Sequence, residues 1–153
     1  MKKTSIICLL IMICSVNCSF SQNKECPPIQ KFLEKIKLDE HTWTGNEAEV
    51  SQKLSKNTFI YTEKDKTDGF KTFQKYENID WSSYKGHLIS GKIEYKNNKY
   101  LGCIFFFSTE FTEIYYNDEE IDEPKQTNKF SFYVLAEDEK EFLKVLKDWE
   151  GEL

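Results

Sequence analysis

Two histidines, five cysteines and one run of carboxylates are the side chains of this 153-residue sequence whose types and spacing could do chemistry. His41 sits in Glu40-His41-Thr42-Trp43, read as a polar connection between helices, and His87 opens an alternating apolar stretch. Either could move a proton if a carboxylate oriented it. The patterns Gly-x-Ser-x-Gly, His-Glu-x-x-His and Cys-x-x-Cys are absent, so no catalytic residue is assigned and the chain is read as a non-enzyme.

The carboxylates are Asp118, Glu119, Glu120, Asp122 and Glu123, crowded into the 117–128 segment. Calcium needs several convergent oxygens, and an EF-hand loop needs a glycine at its sharp turn. The segment has no glycine and the wrong order of ligands, so no metal or cofactor is assigned. The row is read instead as a docking surface for a basic protein, where like charges speed encounter and exclude wrong partners. A solvated loop that serves solubility is the plain alternative. Aromatic residues make up 15% of the chain, and Trp43, Trp81, Tyr84, Tyr115 and Tyr116 form a second candidate site, a pocket for a flat ligand, with ordinary core packing as its alternative.

The address of the chain bears on its cysteines. Residues 1–21 begin with Lys2 and Lys3, turn apolar from Ile6 to Ile13 and end in small polar residues, the layout of a secretory signal too short to span a membrane. Two endings compete. Ser19-Phe20-Ser21 offers small residues for cleavage before Gln22, which releases a soluble periplasmic or secreted protein. Ser15-Val16-Asn17-Cys18 loosely resembles a bacterial lipobox, which would make Cys18 a lipidated anchor and bring in the membrane as a partner. Either way Cys26 and Cys103 stay in the folded part. Two thiols in an oxidising compartment predict one disulfide between them.

Residues 22–153 are read as one domain, long enough to bury an ordinary core. Losing Lys2 and Lys3 takes 21 basic residues to 19, against 26 acidic, a mature net charge near −7. That charge argues against nucleic acid as a partner. Every basic residue is Lys, so no bidentate guanidinium is present to clamp a phosphate or carboxylate.

The positioning elements start with a hairpin over 86–108. Pairing Lys96 with Lys99 places Asn97-Asn98 in a tight turn and gathers Ile89, Ile93, Tyr95, Tyr100, Ile104 and Phe106 on the face predicted to meet the core. Pro27 and Pro28 introduce a helix over 28–38 with Ile29, Phe32, Leu33 and Ile36 at helical spacing. Asn46 and Glu49 suggest a capped second helix to about Asn57. Strands are expected over 58–62, 111–116 and 129–137, with 70–81 read as a short helix or irregular segment. The stripe Phe142, Leu146 and Trp149 marks a C-terminal helix. The fold class is α+β: an antiparallel sheet of four or five strands around the central hairpin, packed by N-terminal helices and a C-terminal helix. Export, small size, acidity and the lack of a catalytic constellation together point to an immunity protein or enzyme inhibitor acting on a basic envelope or secreted protein. A periplasmic or lipid-anchored ligand-binding or structural module is the alternative.

Overall fold

The computed structural model describes residues 25–36, 38–41, 47–67, 69, 71–95, 98–117 and 120–151. The expected export signal with Cys18, and Trp43, Asp118 and Glu119, lie outside the described residues. In chain order the elements are α1 (Gln30–Leu33), β1 (Leu38–His41), β2 (Glu47–Ser55), β3 (Thr58–Asp65), β4 (Lys71–Glu77), a 3-10 turn (Trp81–Ser83), β5 (Tyr84–Tyr95), β6 (Asn98–Asn117), β7 (Lys125–Leu135), a second 3-10 turn (Ala136–Asp138) and α2 (Glu139–Gly151).

The axis of the fold is β6, whose 20 residues touch three other strands. β7 follows one edge of it. The opposite edge is taken first by β5, across from residues 98–107, and then by β4, across from 112–117. β3, β2 and β1 continue outward from β4, so all seven strands form one antiparallel sheet in the order β1-β2-β3-β4-β6-β5, with β7 paired to β6. The class is α+β as expected, with seven strands rather than four or five.

The sheet curls into a half-barrel, and its concave side holds the core. Phe59, Tyr76, Phe105, Phe107, Phe111, Phe130 and Phe132 line it from the strands, while Ile29, Phe32 and Leu33 beside and within α1, and Phe142, Leu146 and Trp149 of α2, fill it from above. Phe142 meets Phe32 edge-on at 5.6 Å and Phe132 at 6.0 Å. Trp149 lies against Tyr84 at 4.9 Å and sends its indole N–H to the Glu25 carbonyl, which ties the chain entering α1 to the end of α2. Lys31 of α1 pairs with Glu141 of α2, and Lys35, just past α1, with Asp138 of the 3-10 turn before α2. These exposed pairs add little beside the aromatic packing.

The curl brings the inner face of β2 onto β7. Gln52, only 4% exposed, donates its amide to the Tyr133 carbonyl at 2.9 Å and accepts the Tyr133 N–H at 2.7 Å. One side chain thus serves the backbone of β7 as a neighbouring strand would.

Several expectations are corrected. The second helix is β2: Ala48, Val50, Gln52 and Leu54 are buried while Glu49, Ser51, Lys53 and Ser55 face solvent, a period of two. Val50 and Leu54 are four apart, a spacing that suits both a helix and a strand, which is why their sequence misled. His41 accordingly ends strand β1, opposite Glu47, rather than joining two helices. The 70–81 segment contains β4, with Tyr76 turned to the core and Phe73 to the other face, where it stacks on Tyr116. The strand expected over 111–116 is the far part of β6, whose pairing with β7 slips between Phe106 and Phe111 without the strand ending.

The hairpin register also differs. Tyr95 pairs with Asn98 and Glu94 with Lys99, in place of the expected Lys96 with Lys99, and Gly91 faces Gly102; residues 96–97 lie outside the described residues. A bulge between Ile89 and Gly91 moves Ile89 to the face of β6 that carries Cys103, Phe105 and Phe107 into the main core; of the face expected to be buried, Tyr100 lies in a second buried cluster with Ile36 and Val50, and Ile93 is left exposed. A Cβ at Gly102 would lie 2.3 Å from the Ser90 hydroxyl oxygen, so a larger residue there would turn that hydroxyl aside.

Candidate functional site

A chain reversing direction must satisfy its backbone polar groups, and how the turn after β6 does so decides what it presents. Asn117 N–H donates to the Glu120 carbonyl at 3.0 Å, Glu120 N–H to the Asn117 side-chain oxygen at 2.8 Å, and Asp122 N–H to the Tyr115 carbonyl at 3.0 Å. Tyr116 and Ile121 bridge as a strand pair. Residues 120–122 are therefore tied back to the end of β6. Glu120, Asp122 and Glu123 are exposed, and among the described residues none of them makes an ion pair. Between them stands Ile121, 67% exposed, the most exposed large apolar side chain among the described residues. In the sequence, the signal for this feature is a single Ile set within a run of carboxylates.

Beside the turn, Tyr116 stacks on Phe73 with ring centres 4.6 Å apart and planes 26° apart, both half-buried. The other aromatic candidates are elsewhere. Tyr115 follows the alternation to the opposite face of β6, across from Gln74. Trp81 and Tyr84 belong to the core, where Trp81 donates its indole N–H to the Lys56 carbonyl at 2.6 Å. Tyr84 pairs with Phe107, roughly 25–30 Å along β6 from Tyr116 at ~3.3 Å per residue. The four described aromatics do not converge on one place.

His87 does find a carboxylate. The Tyr84 hydroxyl donates to Glu150 Oε1 at 2.7 Å, and His87 Nδ1 lies 3.0 Å from that hydroxyl and 3.2 Å from the same carboxylate oxygen. Placing the imidazole proton on Nδ1 satisfies all three contacts. Burial, followed by the Glu150 hydrogen bond and charge, holds the Tyr84 phenol far above the ordinary tyrosine range. In this arrangement the imidazole, phenol and carboxylate fasten the last turn of α2 to the start of β5. Glu150 is 63 residues from His87, and nothing local in the sequence links them.

Cys26 and Cys103 are free thiols, so the expected disulfide is not formed in this structure. Cys26 packs on the core cluster that contains Cys103 and directs its S–H to the Pro27 carbonyl, while Cys103 is fully buried between Ile89 and Phe132 in the sheet. Burial pushes both thiols up to about 12. Among the described residues no group of three or more His, Cys, Asp or Glu is placed to hold a metal ion, and no helix is long and apolar enough to cross a membrane. Comparison with known proteins finds no family model, curated protein or solved structure that matches this chain.

Proposed function

We propose that this chain is a small exported binding protein that neutralises a basic partner protein in the cell envelope, as an immunity protein or enzyme inhibitor does, by docking through the turn between β6 and β7. The observation that supports this reading is that residues 120–123, held to the end of β6 by backbone hydrogen bonds, keep Ile121 exposed beside Glu120, Asp122 and Glu123, none of which makes an ion pair among the described residues. An apolar side chain at the centre with charge around it is the plan of a protein interface, where the buried anchor supplies affinity and the rim sets encounter rate and choice of partner. The reading requires no cofactor and no catalytic residue, and Asp118 and Glu119 extend its acidic rim by sequence.

The test is capture from envelope and secreted fractions on the immobilised exported chain, with the variant Glu120→Gln, Asp122→Asn, Glu123→Gln run beside it. A basic protein held in stoichiometric amount by the natural chain is expected to bind the variant with a slower on-rate and a flatter salt dependence. Ile121→Ala is expected to raise the off-rate while leaving the on-rate in place. An on-rate unchanged by neutralising all three carboxylates removes the docking role from the turn. Capture of nothing favours the ligand-binding or structural reading, and the Phe73–Tyr116 stack is the surface that a flat ligand would then meet.

A further inference from the structure

β5 is the last strand of the sheet order: β6 pairs with one of its edges, and among the described residues no strand covers the other. Free edges invite further pairing, and proteins blunt them with charges and bulges. β5 has both. The bulge between Ile89 and Gly91 breaks regular pairing on one side and leaves residues 91–95 as a regular free run leading to the turn. Within that run the charges alternate in sign, Lys92 and then Glu94, on one face of the strand. The other face carries Ile93, 46% exposed, and beyond the bulge Leu88, 52% exposed, next to half-buried Ile104 and Phe106 on β6. Two of the three most exposed large apolar side chains among the described residues therefore lie on this single edge strand.

We propose that the free edge of β5 is a self-association surface on which a second copy of this chain pairs antiparallel about a twofold axis at Ile93. The charges select that occupant and that register. With the axis at Ile93, Lys92 of each copy faces Glu94 of the other, and the two Ile93 side chains meet on the opposite face. Moving the axis one residue to Lys92 sets ammonium against ammonium, and moving it to Glu94 sets carboxylate against carboxylate. Lys92 already contacts Glu139 at 2.9 Å and Glu94 approaches Lys99 at 3.8 Å, but their side chains remain 61% and 67% exposed and can serve a second partner. Such a short strand pair buries little surface, so the dimer is weak and depends on concentration.

The test is sedimentation velocity of the exported chain, purified as the cell processes it, from low micromolar to several hundred micromolar, with Lys92→Glu, Glu94→Lys and the double exchange. The natural chain is expected to move between monomer and dimer. Each single variant sets like charges face to face at two symmetry-related points and is expected to weaken association by at least about tenfold. The double exchange restores Lys opposite Glu in both copies and is expected to recover the dimer. Thermal unfolding of each variant as a monomer separates loss of pairing from loss of fold. A chain that stays monomeric at every concentration overturns the proposal, as does a dimer indifferent to either single variant or one that the double exchange fails to recover.

Discussion

Gln52 offers the sharpest check on how the half-barrel is closed. Its amide makes two hydrogen bonds to the backbone of Tyr133, at 2.9 and 2.7 Å, from a side chain that is 4% exposed. Gln52→Met keeps the length and volume of the side chain and removes both bonds. Each is worth about 1 kcal/mol net, and leaving the Tyr133 N–H and C=O without the amide adds a desolvation cost, so the expected loss is ~2–4 kcal/mol. For a domain of this size that lowers the thermal midpoint by about 10 °C. Gln52→Glu separates the two bonds. It keeps an acceptor for the Tyr133 N–H but turns a carboxylate oxygen toward the Tyr133 carbonyl, so it is expected to cost at least as much as Met at neutral pH and to recover in part when acid protonates it. Urea unfolding with matched slopes gives the energies, and hydrogen exchange at the Tyr133 amide reports the contact directly. A Met variant within about 0.5 kcal/mol of the natural chain, with Tyr133 protection unchanged, would refute the idea that this amide seals the edge of β7.

Other outcomes follow from the core and its buried titratable groups. Phe130 is 2% exposed and touches the rings of Phe59, Phe105 and Phe107 at 4.7, 5.7 and 5.9 Å, so Phe130→Ala is expected to cost about 3–5 kcal/mol by urea unfolding. Burial raises the Cys103 thiol to about 12, so the fold favours its neutral form: that stability is complete below the unfolded thiol value near 9 and is lost as pH climbs toward 12. In reducing buffer the urea midpoint should therefore fall across that window, and Cys103→Ala should lessen the slope by ~1.4 kcal/mol per pH unit; an identical slope in the variant would show that this thiol does not carry it. Gly91 has φ +145°, a conformation L side chains rarely adopt, and Gly91→Ala is expected to cost about 1–2 kcal/mol although the space around it is open. Tyr84→Phe takes the hydroxyl from between Glu150 and His87 and is expected to lose about 1–2 kcal/mol, with faster hydrogen exchange in the last turn of α2.

What could be read from the sequence was decided by whether one period fitted alone. The stripe Phe142, Leu146 and Trp149 fits a helix and not a strand, and α2 carries all three into the core. Phe105 and Phe107 were legible as strand residues, but not the face they occupy, because the bulge at Ser90 shifts β5 against β6 and has no signature beyond Gly91 and a glycine opposite it. In 47–55 two periods fitted at once, and the arbiter, a curled sheet that needs Ala48, Val50, Gln52 and Leu54 on one side, is a long-range condition. The acidic turn was visible as charge. Its order was not, since that depends on Tyr115 and Asn117 offering acceptors and on Ile121 finding Tyr116, contacts made only after the chain reverses. The Tyr84–His87–Glu150 cluster joins a strand to a helix more than sixty residues later, which no local spacing encodes.

The long strand β6 also makes the two proposed surfaces compatible. Ile93, on the proposed axis, pairs with Tyr100 near one end of β6, and the acidic turn follows Asn117 at the other, a contour of ~55 Å at ~3.3 Å per residue before bending. Copies joined antiparallel through β5 carry their turns in opposite directions, away from the axis and unobstructed. Self-association therefore leaves docking on a single partner molecule unchanged and alters only binding to partners displayed together, where a second turn works at high effective concentration. Lys92→Glu should thus bind a captured partner free in solution with the natural on-rate, yet leave a surface densely coated with it faster than the natural chain does. Equal departure from the coated surface would mean that the two turns do not engage it at once, and the gain expected from a second turn would be refuted.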